Sequence, residues 1–260
     1  MNLLLAAAPV DLKRLEEAVK YDPQLVTEAL RLCNSSLFHL PHPVSRLEQA
    51  VMIMDAEITR ALLLVCWVVK QSRLRMGAQD HRAFWAHSLL VAQLSRHLCE
   101  WANYGQPECA FVAGLFHDVG ALPFLTLFSR NGAGSGANAF EQVGDGVEPQ
   151  RRRFGVDHCE LAHRMGSLLA LPSWSIEVAT KHHQRGGASS SFPLLCFVSA
   201  AEVMAQVSIS SGGHPSALPE RPAILSALAE YLPGLSSAAN SGLIETLESD
   251  LRTACTLFVE

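Results

Sequence analysis

The sequence predicts an all-α protein, and three observations support that fold class. Apolar residues recur three and four apart along most of the 260-residue chain. No segment shows the alternating apolar–polar pattern with hairpin turns that marks paired strands. Residues that start helices stand ahead of several of the apolar runs.

Taken in order, Leu12, Leu15, Ala18 and Val19 share one face of a first amphipathic helix. Asp22-Pro23 sets a capping side chain before a proline at the first helical position. The second helix so opened carries Leu25, Val26, Ala29, Leu30 and Cys33 and fades at Asn34-Ser35-Ser36. A turn-rich link through Pro41 and Pro43 leads to Ser45-Arg46-Leu47-Glu48, read as a capping box because serine and glutamate three apart can satisfy free amides at a helix start. Residues 58–71 are apolar on most sides, which predicts a deeply buried helix. Gly77 to Asp80 is a boundary, with Asp80 as the next N-cap. Phe84, His87, Val91, Leu94, Leu98 and Trp101 then form one helical stripe, with His87 facing inward. Asn103 to Pro107 breaks that helix and Pro107 restarts it. On the new helix Ala110, Ala113 or Gly114, and His117 share a face whose small residues permit close helix approach.

Residues 131–155 are glycine-rich and aperiodic, so a surface loop is expected there, with Arg151-Arg152-Arg153 as a solvated basic cluster. Asp157 caps the next helix, with Glu160 three residues on, and His158, Met165 and Leu168 or Leu169 lie on its apolar stripe. Pro172-Ser173 opens a further helix on which Ile176, Ala179 and His183 share a face, with His182 about 100° away. Gly186-Gly187 and Ser189-Ser190-Ser191 end it. Leu195, Val198, Glu202, Ala205 and Ile209 make a stripe that includes one carboxylate. A polar linker from Ser210 to Pro222 precedes two expected C-terminal helices, near 223–232 and 243–258.

Composition narrows the function classes. Apolar residues make up 49% of the chain and charged ones 17%, which fits extensive burial and not disorder. A net charge of −5 provides no general attraction to nucleic acid or to an anionic membrane. The seven cysteines are odd in number and never spaced C-x-x-C, so neither a disulfide framework nor a zinc knuckle is expected, and a cytoplasmic setting is. The apolar start, residues 1–10, lacks a basic region and does not read as a signal peptide. Residues 61–69 are apolar over about half the ~20 residues a membrane span needs.

The chemistry lies in residues that periodicity places on or beside inward faces: His87, His117, Asp118, His158, His183 or His182, and Glu202. Buried polar groups need partners, because leaving them unpaired costs several kcal/mol. They can satisfy each other by hydrogen bonding or around a metal ion. A mixed imidazole and carboxylate set suits iron, manganese, zinc or nickel. Counted from the break at 103–107, at 1.5 Å per residue, His87 lies roughly 22 Å along its helix and His117 roughly 15 Å along the next. The offset of roughly 7 Å is within reach of two imidazoles. A single histidine on an apolar face is more often an ordinary core residue, and Glu202 could instead pair with an arginine. Recurrence on separate helices makes the metal-capable site an equal reading. His39, His42, His81 and His214 fall in turn-like segments and are expected at the surface. No metalloprotease, Walker, nucleophile-elbow or dinucleotide motif is present.

Three stretches resemble the HDOD family (HD-related output domain) of the HD phosphohydrolase superfamily. They are Asp22-Pro23-Gln24-Leu25 through Leu30-Arg31-Leu32-Cys33-Asn34-Ser35, then Phe84-Trp85-Ala86-His87-Ser88, then Ala110 through Gly120 with its His117-Asp118 pair. Gly155-Val156-Asp157-His158, Leu171-Pro172 and His182-His183 extend the likeness. The resemblance implies an HD-like helical bundle, residues 78–209, preceded by a smaller N-terminal helical subdomain, residues 1–77, and followed by C-terminal helices, residues 210–260. It also implies a bacterial signalling module with a protein partner and a metal or nucleotide ligand, binding in preference to turnover. Against the family pattern, Asp55 stands where glycine is usual. Glu202 stands where HD enzymes carry aspartate, and Ala121 where active ones often carry lysine. Gly186-Gly187 does not continue into the G-Y-P segment of the cyclic-di-GMP-cleaving relatives. The alternative is a metal-dependent phosphohydrolase acting on a nucleotide or cyclic dinucleotide. In it His87, His117, Asp118 and Glu202 would hold one metal, and His158 with His183 would assist a second metal or the phosphate.

Overall fold

The computed structural model describes residues 12–19, 22–35, 38, 40, 42–131, 146–184, 193–210, 226 and 229–232. All the regular structure among them is helical: α1 (Leu12–Val19), α2 (Pro23–Cys33), α3 (Leu47–Met54), α4 (Ala56–Arg73), α5 (Ala78–Trp101), α6 (Pro107–Phe116), a 3-10 turn (Val119–Ala121), α7 (Leu122–Asn131), α8 (Val147–Phe154), α9 (His158–Leu168), α10 (Ser173–Lys181) and α11 (Pro193–Ser210). Residues 229–231 are helical as well. The other expected C-terminal residues, the tip of the 131–155 segment and the 185–192 stretch lie outside the described residues.

The long helices α4 and α5 are buried on nearly every side, as an apolar circumference requires. α5 is the centre of the packing, with α6 and α11 against it, while α4 bridges α2 and α3 to α6. A continuous apolar core runs from Leu15, Leu25 and Leu32 through Leu62 and Leu64 to Phe84, Trp85, Phe111 and Leu125. A second cluster, with Leu94, Leu98, Val178, Val198 and Met204, ties α5 and α6 to α10 and α11. α6 runs unusually close to α5. A Cβ placed on Gly114 would lie 2.5 Å from the Ala92 Cα, so only glycine permits that approach. The run Pro107–Ser129 is long and apolar enough to cross a membrane by length and composition, yet 72% of its window is buried inside the protein.

Several local expectations are corrected. The segment read as a loop contains α8, which closes at Gly155 in the left-handed conformation (φ 73°), where glycine is free of the Cβ penalty. Its run of three arginines is exposed, as expected, but helical. Only Gln150 is buried on it, so no apolar periodicity announces the helix. α5 starts after Gly77, three residues earlier than an Asp80 cap requires, and Asp80 is buried in the first turn. The start of α3 is held by Gln49 and not by Ser45 with Glu48. The Gln49 amide oxygen accepts from the backbone amides of Ser45 (2.8 Å) and Arg46 (3.2 Å). Asp22 occupies the N-cap of α2 ahead of Pro23, but its carboxylate pairs with Lys70 at 2.7 Å instead of capping. His81 is buried, not at the surface, with Nε2 3.1 Å from the Val69 carbonyl. His42 is exposed as expected, and His39 and His214 fall outside the described residues.

Candidate metal centre

Five elements converge on one polar pocket. α5 contributes His87, whose Nε2 lies 3.1 Å from Glu202 Oε2 and 3.8 Å from Asp118 Oδ2. α6 ends at His117, with Nδ1 2.6 Å from the Gly114 carbonyl. That contact turns His117 Nε2 to within 3.0 Å of Glu202 Oε2 and 3.5 Å of Asp118 Oδ2. The two imidazoles are 5.2 Å apart, closer than helix counting alone indicated.

Asp118 follows directly and joins two halves of the pocket. Its Oδ2 faces His87 and His117, while its Oδ1 lies 3.4 Å from Nε2 of both His158 and His182. Gly120 makes this bridging possible. A Cβ there would collide with the His158 carbonyl and come within 2.5 Å of the Ala162 amide nitrogen, so a side chain would push the start of α9 away from Asp118. Asp157 caps α9 as expected, accepting from the Glu160 amide at 2.9 Å. His158 is the first residue of that helix, and the amide oxygen of Gln150 on α8 accepts from its backbone amide (2.8 Å) and faces its Nδ1 (2.7 Å).

His182 and His183 are both at the site. The inner of the two is His182, buried at the C-cap of α10, with Nδ1 3.2 Å from the Ala179 carbonyl. His183 is half-buried, its ring centroid 4.8 Å from that of His158 and 4.2 Å from that of His182. The stripe of α10 pointed to His183 first; the face it buries is instead Ser175, Val178 and Ala179, and His182, still in helical geometry with its amide on the Val178 carbonyl, continues that face inward. Among the described residues no arginine pairs with Glu202 on α11. Its Oε1 accepts from Gln206 at 2.7 Å, and its Oε2 faces His87 and His117. Sequence periodicity offered no signal for Gln150, because it lies in the segment read as a loop.

The ligand-type atoms form two groups, each with all its atoms within 4.8 Å of one another: His87, His117 and Glu202, and Asp118, His158, His182 and His183. The donor set fits a divalent cation on a specific observation. His117 Nε2, Asp118 Oδ1, His182 Nε2 and Glu202 Oε2 are buried against each other, yet none makes a well-directed hydrogen bond. Buried polar atoms in that condition are costly unless something else satisfies them. The electrostatics agree. Burial alone would raise the carboxyls of Asp118 and Glu202, but the surrounding histidines hold both well below the usual carboxylate range. Burial pulls His117 down, and Asp118 with Glu202 outweighs it, raising His117 to about 9. Burial, reinforced by His182, lowers His183 to about 3. Two ionised carboxylates thus face a protonated His117, whose proton a metal ion would displace, with His183 held neutral at the outer edge.

The description "HDOD domain" belongs to the family profile that matches residues 1–185. No curated protein matches the chain. Among solved structures, an HDOD domain protein of unknown function from Geobacter sulfurreducens aligns with a TM-score of 0.63 at 19% identity, over 100% of this chain and 89% of that one. A candidate metal-dependent phosphohydrolase from Shewanella amazonensis SB2B aligns with a TM-score of 0.62 at 15% identity, over 97% and 88%. A candidate signal transduction protein from Marinobacter aquaeolei VT8 aligns with a TM-score of 0.60 at 15% identity, over 99% of this chain and 57% of that longer one. At these identities the likeness is one of fold.

Proposed function

The chain belongs to the HDOD family, and from that membership we propose that it is a cytoplasmic signalling module whose His/carboxylate pocket binds divalent transition metal. In this reading residues 1–77 are the N-terminal helical subdomain, residues 78–209 the HD-like bundle and residues 210–260 its C-terminal extension. The partner is a protein of a signalling pathway, in keeping with the description of the Marinobacter fold neighbour, and a nucleotide is the small ligand. His87, His117 and Glu202 would hold one metal ion, and His158, His182 and His183 a second, with Asp118 shared between them. Iron, manganese, zinc and nickel all suit such ligands.

One observation carries the proposal: four buried ligand-type atoms from three separate elements and the turn after α6 face one another without well-directed hydrogen bonds. Elemental analysis of the purified protein, reconstituted with manganese, iron or zinc, tests it. Wild type should retain metal through gel filtration and His117→Ala should lose at least half of it. A wild type that retains none would overturn the reading.

Turnover is a second reading, and the exposure of the site edge favours it. The Asp118 side chain keeps 14% of its surface open and His183 is half-buried, so this edge of the site meets solvent. A metal held there would supply Lewis acidity and lower the pKa of bound water. This chain's own part would be to orient the phosphoester against Asp118 and His183. Ala121, buried in the turn after Asp118, contributes no cation for the phosphate, and this supports binding over hydrolysis. Assay of the metal-loaded protein on a generic phosphodiester separates the two readings: turnover abolished in His117→Ala would replace binding with hydrolysis.

A further inference from the structure

Three of the inward histidines aim Nδ1 at an oxygen, and one of those oxygens is of a different kind. His117 and His182 face carbonyls three residues upstream, Gly114 and Ala179, which the helix supplies automatically. His158 is the first residue of α9 and has no helical carbonyl three residues before it. Its oxygen comes from elsewhere, from Gln150 on α8, which is 2% exposed.

The contact fixes the chemistry of both groups. A backbone amide can only donate, so the Gln150 atom 2.8 Å from the His158 nitrogen is the carbonyl oxygen and not the NH2. That same oxygen lies 2.7 Å from His158 Nδ1, and an oxygen without a hydrogen can only accept. Nδ1 therefore carries the proton. In the neutral ring Nε2 then keeps its lone pair, pointed toward Asp118 Oδ1 at 3.4 Å. One amide oxygen thus satisfies a free N-terminal amide of α9 and selects the tautomer of its first histidine. The neighbouring Arg151 pairs with Asp157, the cap of α9, so α8 grips the start of that helix at two consecutive positions.

We infer that Gln150 is a positioning residue that presents His158 Nε2 to a divalent metal in the Asp118–His158–His182–His183 half of the pocket, while the His87–His117–Glu202 half does not depend on it. The inference rests on the metal-binding reading above. Without the amide oxygen, Asp118 would draw a proton onto Nε2 and the ring would offer it no longer as a ligand. Partners of this kind, which orient a metal-ligating histidine through its other nitrogen, typically contribute 10–100-fold in affinity.

Zinc titration of the full chain by calorimetry, with nitrogen-15 NMR of the histidine rings in the metal-free protein, tests it. Wild type should bind two zinc equivalents and show His158 as a single Nδ1–H tautomer. Gln150→Leu should bind one equivalent as wild type does and the other about 10–100-fold more weakly, with His158 redistributed between tautomers. Gln150→Glu retains the acceptor oxygen and should restore both properties. If the leucine variant does not fold, Gln150→Asn withdraws the same oxygen by one methylene and carries the same expectation. A leucine or asparagine variant that binds both equivalents like wild type, or loses both together, overturns the role of Gln150. Absence of zinc uptake by wild type overturns the metal reading instead, so the two failures are distinguishable.

Discussion

At position 55, between α3 and α4, an aspartate adopts φ 69° and ψ 170°, a conformation that is open to glycine and strained for any residue with a Cβ. The likeness to a family with glycine at this position thus has a backbone cause that the residue identity alone concealed. Asp55 is retained in that geometry with one compensation: its Oδ1 accepts from the Ile58 amide at 2.9 Å and caps α4. The strain costs about 1–3 kcal/mol. Replacing the cap with glycine loses only a few tenths of a kcal/mol, and the added backbone freedom costs roughly 0.5–1 kcal/mol. Asp55→Gly should therefore stabilise the protein by about 1 kcal/mol, measured as a higher urea midpoint with an unchanged slope. At this scale the sequence was informative about residue type and blind to conformation. His81 shows the same limit: its neighbours read as a turn, yet helix α5 starts early enough to bury it.

Among elements, the decisive contact is between the turn after α6 and the start of α9, where Gly120 lies under the His158 carbonyl. Gly120→Ala should destabilise the protein by about 1–3 kcal/mol, because overpacking there can be relieved only by moving backbone. Its particular mark would be at the site. As α9 backs away from Asp118, the variant should lose metal at the His158 half in elemental analysis before it loses helicity by circular dichroism. Most helices were legible because their buried apolar residues recur at helical spacing, as Leu25, Ala29, Leu32 and Cys33 do on α2. α8 was not, because its aromatic anchor, Phe154 stacked on Phe124, stands alone at its end and its other holds are polar. It buries one glutamine, exposes three arginines and is held by Gln150 on His158 and Arg151 on Asp157. A helix stabilised by one terminal aromatic and by polar contacts to another element has no periodic signature of its own.

For the molecule as a whole, the clustered charges predict how the metal-free protein responds to pH. His117 is raised from 6.5 to about 9, so its contribution is complete below about 6.5 and is lost as pH rises through 9. His183 is lowered to about 3, and burial lowers His158 and His81 as well. Below pH 6.5 the unfolded chain therefore binds protons that these folded imidazoles refuse, and stability falls. The contribution of Asp118 and Glu202, both depressed, is present above the ordinary carboxylate range and adds a further loss only in stronger acid. Thermal melting of the metal-free protein should peak near pH 6.5. Metal should move that peak upward, because it replaces the proton on His117. A flat melting profile between pH 5 and 9 would count against the cluster's charges.

The sequence by itself determined the helical class, the order of most helices and the residue types gathered at the centre, since burial imposes a period on side chains along each helix. It could not rank His182 against His183 or find Gln150, and it could not divide the ligands into two groups around Asp118. Those were decided by tertiary structure. Helix ends, left-handed turns and glycine-sized approaches between elements set the last few ångströms, and no periodicity within one segment encodes them.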